Sequence, residues 1–124
     1  MSHPHRPAAV MFAVVALFLV TETTAADVPN FSTDIAPMLA TKCSKCHGAT
    51  RQKNDLRLDS AEAVQKGGKN GPIFVAGKPD QSPMWVRATK PPGDADRMPA
   101  EGQMLTKKQT DLLKAWIAAG AKFD

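Results

Sequence analysis

Within five residues, Cys43-Ser44-Lys45-Cys46-His47 brings together two thiols and an imidazole. Two thiols about one turn apart can add across the two vinyl groups of a single haem, and the residue that follows then offers its imidazole to the iron. The Cys-x-x-Cys-His spacing therefore predicts one covalent haem c, tethered by Cys43 and Cys46, with His47 as the proximal iron ligand. Other chemistries account for the pair less well. These are the only cysteines in the chain, and a disulfide across two residues closes too small a loop to restrict the unfolded chain by much. A thioredoxin-like redox pair needs a βαβ setting that the sequence lacks. A structural zinc takes four ligands, and beyond residue 26 there are two Cys and one His.

The second face of the iron decides the function. His3 and His5 lie in a leader, so the remaining chain has no second histidine, and it has no tyrosine. The available soft or basic groups are Met38, Met84, Met98, Met104 and the lysines. Met38 lies on the helix that feeds the motif and is expected in the core. Met84 stands beside Trp85, which is itself a candidate wall of the pocket. Met98 and Met104 fall in or near a long loop able to arch over the distal face. Met98 is favoured, because Pro99 restricts the backbone behind it and Met/His ligation is a familiar pairing.

The leader has three parts. Met1–Pro7 carries Arg6, Ala8–Val20 is unbroken apolar sequence, and Thr21–Ala26 is small and polar and ends Thr-Ala-Ala. That is the layout of a secretory signal over residues 1–26, with cleavage expected after Ala26. The apolar run falls short of the roughly 20 residues that span a bilayer. No membrane span is expected after cleavage, and the protein is expected to be periplasmic or otherwise exported. Residues 27–124 then form one domain, small enough that a covalent haem would act as an apolar staple. Removal of Arg6 and Glu22 leaves the formal charge at +4. The Lys and Arg are scattered, so nucleic acid is not an expected partner.

Four short helices must position these residues. Phe31–Lys42 has Ile35, Met38, Leu39 and Cys43 at helical spacing, with Ser32 or Thr33 as cap; Pro37 requires that the helix start near Ala36 or kink there. Asp59 with Glu62 three residues later predicts a capped helix that stops at Gly67-Gly68. Ser82-Pro83 opens a third helix that ends before Pro91. Thr106 with Gln109 opens a fourth, whose stripe is Leu112, Leu113, Trp116 and Ile117 and whose stop is Gly120. Ile73-Phe74-Val75 reads as an extended wall of haem pocket or core. Pro91–Gly102, with Met98 inside it, is a long loop of the kind that is usually functional.

This ordering resembles a class I monohaem cytochrome c, and more narrowly it is similar to the planctomycete-type cytochrome c domain. The stretches that carry the likeness are FSTDIAP (31–37), CSKCHG (43–48), LRLDS (56–60), GKPDQS (77–82), RMP (97–99), and Leu105-Thr106 with WIAAGA (116–121). The resemblance implies an all-α cytochrome c fold around one haem, thioether bonds from Cys43 and Cys46, and axial bonds from His47 and Met98. Such domains often occur as modules of larger proteins, and no host's function is carried over.

The function expected is single-electron transfer to redox protein partners. Lys42 and Lys45 beside the motif are either ordinary solvated charge or a basic rim that steers an acidic partner. Two alternatives stand. One is a haem subunit of a larger redox complex. The other, if Met98 does not bind, is an open iron that takes a small ligand or does peroxidase-like work, with Arg97 as a helper.

Overall fold

The computed structural model of the protein describes residues 2–4 and 27–124; the secretory signal expected over residues 1–26 lies almost wholly outside the described residues. The fold is all-α. A π-helical turn, Phe31–Ile35, runs directly into α1 (Ala36–Lys42); α2 spans Ala61–Lys66, α3 Pro83–Ala88 and α4 Lys107–Ala118. Among the described residues the only β pairings are two isolated bridges, His47 with Gln52 and Gly68 with Gly71.

Pro37 explains the change of helix type. It lies in the first turn of α1, where its missing N–H costs nothing. The cap of the preceding turn is Asn30 rather than Ser32 or Thr33. Its side chain accepts from the Thr33 N–H at 3.1 Å, and its own N–H donates to the Asp34 carboxylate at 2.7 Å. At α2 the cap is Ser60, whose hydroxyl accepts from Ala63 N–H at 3.1 Å. Asp59 instead forms a two-bond pair with Arg57, at 3.0 and 2.6 Å, which holds its carboxyl below the usual carboxylate range. Gly67 closes α2 with φ of 73°.

α3 begins at Pro83, as the Ser-Pro pair suggests, yet Ser82 makes no capping bond. Its fully buried hydroxyl accepts from Val75 N–H at 2.9 Å and lies 2.9 Å from the Lys78 carbonyl, to which it donates. This side chain therefore fixes the extended run 73–75. α4 carries the expected reciprocal box between Thr106 and Gln109. Its stripe buries Leu113, Trp116 and Ile117, while Leu112 is half-buried.

The core lies between the 31–42 segment, α4 and the 73–75 run. Phe31, Phe74 and Phe123 surround Trp116 at centroid separations of 5.6, 5.5 and 5.3 Å. Each such pair adds about 0.5–1.5 kcal/mol beyond its buried area. The Trp116 indole N–H donates to the Lys122 carbonyl at 2.9 Å, so its one polar atom is paired. Trp85 does not line the cavity described next. Its indole N–H donates to the Thr110 carbonyl at 3.2 Å, and Lys114 lies over its ring at 4.9 Å, so it joins α3 to α4.

Candidate functional site

α1 ends at Lys42, and the backbone continues in turns through the attachment motif. Cys43 N–H and Ser44 N–H both donate to the Leu39 carbonyl, at 2.8 and 3.1 Å. His47 N–H then donates to the Cys43 carbonyl at 3.0 Å, which puts the two thiols and the imidazole on one continuous turn. The two sulfurs are not joined to each other. Burial, helped by the neighbouring Cys46 thiol and opposed by Lys42, pushes the Cys43 thiol up to about 11. It keeps its proton at neutral pH.

His47 is buried. Its Nδ1 lies 3.1 Å from the Lys53 carbonyl oxygen. A carbonyl only accepts, so Nδ1 carries a proton, and in the neutral ring the lone pair is on Nε2. Orientation of one ring nitrogen by a backbone carbonyl is how a protein presents the other to a metal. The loop that supplies this carbonyl is sewn to the motif by Lys53 N–H to Cys46 O at 3.0 Å and Leu58 N–H to His47 O at 2.7 Å. Gly48 permits the tight passage between them, since a Cβ there would stand 2.3 Å from the Ser44 carbonyl oxygen.

Cys43, Cys46 and His47 share a cavity of about 530 Å³, within the usual range of roughly 300–1,000 Å³ for ligand sites. Leu39, Leu56, Leu58, Ile73 and Leu113 form apolar walls, and Met98 with Pro99 lines it from the 91–102 loop. The structure therefore brings Met98 to the same cavity as His47, across half the length of the domain. Met38 and Met84 also line it, but Met104 does not. Met38 is buried in the core and Met84 packs against that core, whereas Met98 belongs to neither set. The Met98 N–H donates to the Arg87 carbonyl at 3.0 Å, which ties the loop to α3.

The lysines by the motif take partners within the chain. Lys42 Nζ donates to the Met104 carbonyl at 3.3 Å. Lys45, with a side chain 80% exposed, lies 4.0 Å from Glu101, a surface pairing of the kind worth about 0–1 kcal/mol. Both contacts join the start of the site to the far end of the Met98 loop.

Several wall residues had no individual signal in the sequence. Leu58, the 68–72 turn and Arg87 come to the cavity through tertiary packing, and Leu113, readable as part of the α4 stripe, proves to be cavity wall as well as core. The LRLDS stretch carried part of the family likeness, but nothing in it showed that the Leu58 N–H would hold the His47 carbonyl.

The donor set suits haem: two thiols for attachment, one oriented imidazole, apolar walls for a macrocycle, and a thioether opposite in the chain. The charges suit it as well. Lys42, Lys45, Lys53, Lys69 and Arg87 line the cavity against a single acid, Glu101, a surplus matched by the two carboxylates that haem carries. Residues 43–102 match the family model of planctomycete cytochrome C. No curated protein and no solved structure matches the chain. The attachment motif and Met98 both lie within this 60-residue match, and the chain carries a cytochrome c-type domain.

Proposed function

We propose that this protein is an exported single-electron carrier in which Cys43 and Cys46 hold one haem c by thioether bonds and His47 and Met98 are its axial ligands. One observation carries the reading. Met98 lines the cavity of the attachment motif yet is the one cavity-lining methionine, among the described residues, that takes no part in the core.

When bound, haem supplies a one-electron ferric/ferrous couple. The chain supplies the rest. His47 is held by the Lys53 carbonyl in the tautomer that donates through Nε2. Met98 would supply the second protein ligand to the iron, leaving no position there for a substrate. Leu39, Leu58 and Ile73 keep water from the ring face, which disfavours the ferric charge and raises the potential. A ligand set that is the same in both oxidation states requires little rearrangement on electron transfer. The partners are redox proteins, and the cationic rim of Lys45, Lys53 and Lys69 suits an acidic one.

The test uses holoprotein recovered from the exported fraction, with its amino terminus sequenced. The expected protein begins at Asp27, carries covalent haem, and shows the charge-transfer band of a ferric-iron–methionine bond. Met98→Ala should abolish that band and make carbon monoxide binding by the reduced protein at least about tenfold faster, because an open position replaces a ligand that must first leave. Met104→Ala and Met84→Ala should keep it. Retention of the band in Met98→Ala, or its absence in the wild type, refutes Met98 as a ligand.

A further inference from the structure

Two glycines follow α2, yet only the first is needed to end it. Gly67 has φ of 73°, the left-handed conformation that glycine fills best. Gly68 does not share that conformation, and what requires glycine there is space. A Cβ on Gly68 would stand 2.8 Å from the Asn54 carbonyl oxygen and 2.9 Å from the Leu56 Cβ. Those two residues frame the group that orients His47. The Lys53 carbonyl faces His47 Nδ1 at 3.1 Å and also accepts from Leu56 N–H at 3.2 Å. Asn54 and Asp55 then follow with φ of 57° and 54°, two successive left-handed residues that are not glycine. Such backbone persists only where its surroundings hold it. Lys69 N–H supplies the hold, donating to the Asn54 carbonyl at 2.7 Å, and the reciprocal bonds between Gly68 and Gly71, at 3.1 and 3.0 Å, seat Lys69. Lys53, Asn54, Gly68 and Lys69 all line the cavity.

We propose that Gly68 is a positioning residue for His47: by letting the 67–71 turn close on the 53–56 turn, it fixes the Lys53 carbonyl and, through it, the imidazole. The inference rests on the haem reading above. Gly68 touches neither His47 nor the cofactor and acts through two layers of backbone, Lys69 on Asn54 and Lys53 on His47.

Redox titrations of the holoproteins at fixed pH and ionic strength test this. In Gly68→Ala the Asn54 oxygen must give about 0.6 Å to reach ordinary contact at 3.4 Å. Passed on to the Lys53 carbonyl, that shift takes the 3.1 Å contact beyond hydrogen-bond reach. An imidazole that no longer donates through Nδ1 is a less basic ligand and favours ferrous iron. The ferrous-to-ferric ratio at a fixed ambient potential should therefore rise about threefold, a shift of about 28 mV for one electron, with the iron–methionine band retained. Gly71→Ala strains the same turn through its φ of 94°, but its Cβ meets nothing within 4 Å. It should lower the melting temperature and leave the ratio within about 1.5-fold of wild type. In the wild-type holoprotein the Lys69 amide proton and the His47 Nδ1 proton should be protected from solvent exchange equally, within about threefold, because one opening of the 67–71 turn frees both. That readout stands even if a variant fails to assemble. An unchanged ratio in Gly68→Ala, loss of the band with it, an equal rise in Gly71→Ala, or a wider difference between the two protons overturns the assignment alone. A wild-type protein without covalent haem overturns the haem reading and this assignment together.

Discussion

Gly48→Ala probes the attachment turn most directly. An added Cβ would stand 2.3 Å from the Ser44 carbonyl oxygen and 3.3 Å from its carbon, while ordinary contact starts at 3.4 Å. One side must move by about 1.1 Å. Neither side is free to do so. Ser44 is held by its N–H and hydroxyl, both to the Leu39 carbonyl at 3.1 and 3.3 Å, and Gly48 N–H donates to Arg51 O at 2.8 Å. Overpacking of this kind costs about 1–3 kcal/mol, and the lower entropy of the unfolded alanine chain returns about 0.4–1 kcal/mol. The net loss is about 1–2 kcal/mol. For a domain of this size that lowers the melting temperature by roughly 4–16 °C. Because His47 lies between the two clashing residues, its ring should turn away from the Lys53 carbonyl, and the reduction potential of the holoprotein should shift with the melting point. Thermal unfolding followed by circular dichroism, alongside a redox titration, measures both. A melting temperature within about 2 °C of wild type, with unchanged potential, would refute the claim that this turn sets the imidazole.

Two other perturbations separate structure from association. Ser82→Ala removes the acceptor of the Val75 N–H and should cost on the order of 1 kcal/mol, read as a lower denaturation midpoint with the absorption spectrum of the haem unchanged; a loss below about 0.5 kcal/mol sinks the idea that this hydroxyl holds the 73–75 run. Electron transfer to an acidic redox partner should slow as salt rises from low ionic strength to about 0.15 M, where the screening length is near 8 Å, and a flat salt profile removes steering by Lys45, Lys53 and Lys69.

Legibility in the sequence followed the range of each interaction. The α4 capping box was readable because Thr106 and Gln109 are three residues apart and satisfy each other. Where several polar residues adjoined a helix start, the choice among them was not readable. Asp59 had a better offer from Arg57, so Ser60 became the cap, and Asn30 capped ahead of Ser32 and Thr33 because Asp34 could answer it. Ser82 looked like a cap and became a buried brace, since its Val75 and Lys78 partners are set by a fold-specific turn. The site divided in the same way. Cys43, Cys46 and His47 are adjacent and their chemistry was visible, whereas the Lys53 carbonyl on His47 is a backbone group with no residue type to announce it. Trp85 was a misleading candidate, because its indole N–H finds the Thr110 carbonyl on α4 and turns the ring away from the cavity.

The core and the haem site are built from the same residues. Met38, Leu39, Leu58, Ile73 and Leu113 are members of the buried core and also walls of the cavity. A small domain has little apolar surface to spend on two separate cores. A macrocycle set against those walls completes their burial, at about 25 cal/mol for each Å² of apolar surface removed from water. Thioether bonds at Cys43 and Cys46, as proposed above, would make that contribution permanent, which a ligand in exchange with solvent would not. The loop with Met98 is fastened to α3 through Arg87 and to the end of α1 through Lys42, so the lid of the cavity hangs from two elements whose inner faces are themselves packed on the core. Stability and the shape of the cavity are consequently coupled: a substitution that loosens Leu113 or Ile73 moves a wall of the cavity, and one that frees the loop draws Met98 away from it and opens the same apolar surface to water.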